Sequence, residues 1–135
     1  MKKLTFLFAF TLLLSACGSS FDQQAAFDEV MDVHDAAMPK IGEVMNLKKQ
    51  VLAKAESATD EAIKAELNTL AEELGTAQEG MMVWMRSWSG AFEPHKNGET
   101  TIDEQKAFFA AEMEKVTKVK DDIFNSIEKA KKELK

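Results

Sequence analysis

Two groups of soft-ligand side chains stand out. Met31, His34 and Met38 fall at i, i+3 and i+7, one stripe of a helix, and Met81, Met82 and Met85 surround Trp84 in a later segment. Thioether sulfur and neutral imidazole suit Cu(I) or Ag(I), and a cation held against an indole gains further attraction. If the chain folds back at residues 57–58, positions whose numbers add to about 115 lie level in adjacent antiparallel helices. His34 then meets Met81, Met31 meets Trp84 and Met38 meets Ala77, and a second fold near residue 95 brings Met113 towards Gln78. The candidate metal set is Met31, His34, Met38, Met81 and Met85. Two other readings fit the same residues: an ordinary core in which Met fills gaps and touches aromatics beside a hydrogen-bonded His34, and a b-type haem between His34 and a Met.

Catalytic patterns are otherwise missing. The sequence contains no G-x-S-x-G, P-loop, H-E-x-x-H or C-x-x-C-H. Met31, not Glu, precedes His34 by three, so the Glu-x-x-His pairs of di-iron bundles are absent. His34 and Asp35 point about 100° apart on a helix, which argues against a direct dyad. Most acids lie off the apolar seams and read as solvated faces. The chain is therefore expected to be non-enzymatic. Trp84, Trp88 and Phe92, followed by Pro94 and His95, form either an apolar patch for a partner or the cap of a bundle end, with His95 expected to be exposed in a loop.

The N-terminus carries a different chemistry. Lys2 and Lys3 precede the apolar run Leu4–Leu14, too short for a bilayer, which needs about 20 residues. This is the layout of a secretory signal peptide. Leu14-Ser15-Ala16-Cys17 follows and resembles the bacterial lipobox. That resemblance implies a diacylglycerol on the Cys17 thiol, cleavage before Cys17 and acylation of the new amine, and so a membrane partner through lipid. In a Gram-negative source, Gly18 in place of Asp favours the outer membrane. Gly18-Ser19-Ser20 is a short flexible tether. The expected division is a signal peptide at 1–16, lipidated Cys and tether at 17–22, and a bundle domain at 23–135.

Positioning the soft ligands requires long helices. The chain has 135 residues, a net charge of −6, 45% hydrophobic and 30% charged residues, one Cys and two Pro. That supports one helical domain and excludes a disulfide framework. It also disfavours nucleic-acid binding, which needs a basic stripe. A first helical region spans about Gln23 to Ala55, with Phe27, Met31, His34, Met38, Ile41, Met45, Lys48, Leu52 and Ala55 inward. Pro39 predicts a kink or break within it. Ser57 or Thr59 can cap the second helix, whose seam runs Ile63, Leu67, Leu70, Leu74, Ala77, Met81, Trp84, Trp88 and stops at Ser89-Gly90. Residues 89–100 read as a loop. Thr101 and Glu104 form a capping box, and the third helix turns Phe109, Met113, Val116, Lys120, Ile123, Ile127, Ala130 and Leu134 inward. The expected fold is all-α, an antiparallel up-down-up three-helix bundle.

Three segments carry a family resemblance: His34-Asp35-Ala36-Ala37-Met38-Pro39-Lys40-Ile41-Gly42, Met82-Val83-Trp84-Met85 and Ser126-Ile127-Glu128-Lys129-Ala130. They resemble a group of short bacterial lipoproteins often labelled "viral A-type inclusion protein", and the likeness extends over most of the chain after Cys17. It implies a lipoprotein and a helical bundle, and no catalytic residues. The functional expectation is an envelope-anchored binding or structural module facing the periplasm or the cell surface, with an envelope protein as partner. The alternative is a soft-metal binder.

Overall fold

The computed structural model describes residues 21–135. Cys17, the expected signal peptide and most of the expected tether lie outside the described residues. The described chain is helical, with no strand: α1 is Gln23–Ala37, α2 Ile41–Ser57, α3 Glu61–Lys96 and α4 Ile102–Glu133. Between α1 and α2, Met38–Lys40 form one 3-10 turn with Pro39 in it. Pro39 has no N–H to return to the Asp35 carbonyl. The α-ladder gives way there, with Met38 N–H still bonded to His34 O and Ile41 N–H to Met38 O.

Three of the helix starts are closed by a side chain, whereas α2 continues from the 3-10 turn without one. Asp22 accepts from Ala25 N–H at 3.0 Å. Asp60 accepts from Ala62 and Ile63 N–H, so it is the cap of α3, rather than Ser57 or Thr59. The Ser57 hydroxyl instead donates back to Lys54 O, closing the end of α2. The capping box opens α4 as its spacing predicts: Glu104 N–H donates to the Thr101 hydroxyl and Thr101 N–H to the Glu104 carboxylate at 2.7 Å.

The largest departure from expectation lies in α3, which runs through Gly90 and Pro94 to Lys96. The residue that stops it is Gly98, the positive-φ glycine at +72°. Gly98 N–H bonds His95 O and Glu99 N–H bonds Pro94 O, the paired closure of a Schellman motif. Interior Gly and Pro cost about 1 and 3 kcal/mol against Ala. The apolar seam around them supplies the compensation, because Trp88, Phe92 and His95 all pack inward.

One core joins the helices, with α2 against α3, α3 against α4, and both α1 and α2 against α4. On α3 and α4 the expected seams hold, except that Ile63 is 49% exposed at the first turn of α3. On α1 and α2 the expected line holds at Ile41 and Ala55, and elsewhere the buried residues lie one position away. Val30, Ala37, Val44, Leu47 and Val51 are buried, whereas Met45 is 45% exposed and Leu52 also faces out. A helix facing two neighbours buries a stripe wider than a two-position seam. Its centre falls on small and β-branched residues that allow close approach, and the longer Met31 and Met38 cover its edge.

Two outcomes follow. Val44→Ala should cost about 0.5–2.5 kcal/mol through loss of buried methyls, whereas Met45→Ala should stay within about 0.5 kcal/mol; urea melts giving equal losses would contradict this seam. The Thr101 backbone and hydroxyl hydrogen bonds hold the Glu104 carboxyl below its ordinary pKa. Its stabilising contribution is therefore present above the ordinary glutamate pKa and lost as pH falls through the lower folded value. Glu104→Gln should flatten the acid limb of a pH–stability profile, and an unchanged slope would count against the box.

Candidate functional site

The structure brings His34 of α1, Trp84 of α3 and Glu112 of α4 into one layer. Trp84 is 4% exposed. Its indole N–H donates to Glu112 Oε2 at 2.9 Å, and Lys115 Nζ donates to Oε1 of the same carboxylate at 2.6 Å. The His34 ring lies 5.7 Å from the Trp84 ring, tilted by 32°. A single indole thus touches a group on each of the other two chain arms.

Glu112 was missed by reading the acids as solvated. It is 3% exposed. A signal was available: position 112 is three after Phe109 and four before Val116, on the same stripe as both. A buried indole N–H needs an acceptor, and Lys115 reaches in from the surface to balance the charge, its own side chain more than half exposed.

His34 corrects the expectation that it and Asp35 stay apart. Its Nδ1 lies 2.8 Å from Asp35 Oδ1. The two side chains leave the helix in different directions, but the ring nitrogen nearest the backbone and a short carboxylate bridge the gap. A carboxylate only accepts, so Nδ1 is the donor of this pair. Nε2 is buried with no hydrogen-bond partner, and in the neutral ring it carries the lone pair. The ring lies level with Trp84 rather than Met81, because the connection is Ala58–Asp60 and the fold-back centre moves towards α3. Of the expected thioethers, Met81 is fully buried, Met31 and Met38 are half-buried against the core, and Met85 is exposed. Among the described residues no three of His, Cys, Asp and Glu gather as a metal set.

From this layer an aromatic cluster continues to the α3–α4 turn. Trp84 stacks on Trp88 at 5.3 Å, and Trp88 meets Phe27, Phe92, Phe108 and Phe109. Each well-placed pair adds about 0.5–1.5 kcal/mol beyond burial. Trp84 and Trp88 are therefore core, and of the expected partner patch only Phe92 keeps partial exposure. His95 is buried as well, correcting its expected exposure. It belongs to the extended α3, its ring stacks on Phe108 at 4.2 Å, Nδ1 is 2.8 Å from the Thr100 hydroxyl, and its carbonyl accepts from Gln23. A surface hollow of about 840 Å³ lies elsewhere, on the α3–α4 face among Thr69, Glu73, Asp122, Lys129 and Lys132.

These features define a small helical bundle organised on a buried His–Trp–Glu layer. Comparison with protein families, with curated proteins and with solved structures gave no match.

Trp84→Phe should keep most of the packing but strand the Glu112 carboxylate, costing about 1–3 kcal/mol. In the Glu112→Gln background, which retains an acceptor but no charge, the same change should cost less. Urea melts over the double-mutant cycle check this, and a coupling of zero would contradict the indole–carboxylate bond.

Proposed function

We propose that the chain is an envelope-anchored lipoprotein whose body is a non-enzymatic binding or structural module. In this reading Cys17 carries the lipid, the body faces the periplasm or the cell surface, and a Gram-negative source would place it at the outer membrane. The likeness to short bacterial lipoproteins and the lipobox-like Leu14–Cys17 run support the anchor.

The observation that carries the reading is where the chain enters the bundle. The Phe21 ring sits 6.0 Å from that of Phe109, and Asp22 caps α1 immediately afterwards. Packing is therefore in place at Phe21, four residues after Cys17 in sequence. A lipid on Cys17 would hold the aromatic end of the body against the membrane surface. The α2–α3 turn then faces outward, about 54 Å away if α3 stands upright at 1.5 Å per residue.

The proposed arrangement is up-down-up, bent at Pro39. Cross-helix neighbours support it. Gln23 with His95, Phe27 with Phe92, and His34 with Trp84 step down α3 while stepping up α1. Trp84 with Glu112 and Glu73 with Lys129 do the same between α3 and α4. Phe21 with Phe109, and Lys54 with the Glu133 carbonyl, run in step. Such a body offers rigid length and polar faces to an envelope protein.

Intact mass measurement of the mature N-terminus tests the anchor. The expected product begins at Cys17 and carries diacylglyceryl and acyl groups, and Cys17→Ser should leave the precursor unprocessed. A free Cys17, or cleavage elsewhere, overturns the reading. Crosslinking in the native envelope would then identify the partner.

A further inference from the structure

His34 Nε2 is the one buried side-chain N or O atom among the described residues that lacks a hydrogen-bond partner. Leaving such a group unpaired is costly. The Asp35 carboxylate holds the other ring nitrogen at 2.8 Å, so in the neutral ring Nδ1 carries the proton and Nε2 the lone pair. A carboxylate behind an imidazole is the arrangement that orients histidine ligands and raises their basicity.

Two thioethers fall within a helical turn of the His34–Trp84 layer by register. Contacts between α1 and α3 descend one helix as they climb the other, so Met38, four residues beyond His34, falls level with Met81, three residues before Trp84. Met81 is fully buried and Met38 half-buried. The Trp84 ring is already against the imidazole. Glu112, the acid of this layer, is occupied by Trp84 and Lys115. Met85, exposed, stands at the rim, and Met31 lies a turn away towards Trp88.

We propose that His34 Nε2, with the thioether sulfurs of Met38 and Met81, binds one soft monovalent ion, Cu(I) or Ag(I), beside Trp84. Imidazole and thioether donors are neutral and polarisable, which favours such ions over Zn(II), whose sites draw on thiolate, several imidazoles or carboxylate. From the neutral ring binding needs no proton release, because Nε2 then carries the lone pair. The adjacent indole adds cation–π attraction. Met38 opens the 3-10 turn with Pro39 directly after it, so its backbone sits where the α-helical ladder is interrupted.

The site does not depend on the proposed anchor, and the Cys17→Ser chain separates the two while removing the thiol as a competing ligand. With that full-length variant in detergent, anaerobic Cu(I) titration against a competing chelator should show one ion per chain, bound tighter than micromolar. Indole fluorescence should be quenched and Tm should rise by ligand linkage. Ag(I) should reproduce the stoichiometry. His34→Gln should weaken binding at least tenfold and Asp35→Ala about tenfold, while His95→Gln should bind as the parent does. X-ray absorption of the Cu(I)-loaded parent should show both nitrogen and sulfur neighbours, a readout that needs no substitution. Absence of binding tighter than micromolar, equal binding by His34→Gln, a sulfur-free coordination shell, or Zn(II) bound as tightly as Cu(I) overturns the proposal.

Discussion

An indole that leaves water must find an acceptor for its N–H, and much of this bundle is arranged around that requirement at Trp84. The acceptor is a carboxylate, so burying the indole forces Glu112 of another helix into the core, and Lys115 must then reach in to balance it. The exposed ring faces are taken by His34 and Trp88. An unpaired member of such a set costs about 1–3 kcal/mol, which is enough to fix which residues of α1, α3 and α4 lie level. Hydrophobic burial drives the helices together; the Trp84 layer selects their register.

That constraint explains what the sequence could and could not reveal. The helices, the α4 capping box and the seams of α3 and α4 were legible because they repeat: Leu67, Leu70, Leu74, Ala77, Met81, Trp84 and Trp88 are an unbroken apolar series, and all are buried. The end of α3 was not legible, because Gly90 and Gly98 look alike in sequence. Only Gly98 adopts the positive φ that closes the helix, whereas Gly90 sits in open space and is simply passed over. The misplaced end put His95 in a loop. The three-residue Ala58–Asp60 connection moved the facing positions and put Trp84, not Met81, beside His34. On α1 and α2 two neighbouring stripes share His34, Ile41, Lys48 and Ala55, and the choice between them depended on a two-neighbour packing that periodicity alone does not encode.

The candidate site was legible in part. Residue type alone marked His34, Met38 and Met81, and the structure adds the features that periodicity lacks: a buried lone pair, a carboxylate behind it and an indole beside it. Glu112 escaped notice because acids are so often solvated that a single one on a seam reads as noise. The aromatic run after Trp84, read as either patch or cap, is a cap in which Phe21 takes part. The proposed anchor and the structural core thus meet at one end of the molecule, and the His34 layer lies one step inward from it.

The central claim is that the Trp84 N–H is locked into Glu112 at the heart of the fold. Native-state hydrogen exchange of that indole proton, resolved by NMR, tests it directly. If the layer sets the register, the proton should exchange only through global unfolding, at the rate of the slowest backbone amides of α3 and α4. Exchange on the timescale of fraying helix ends would contradict it.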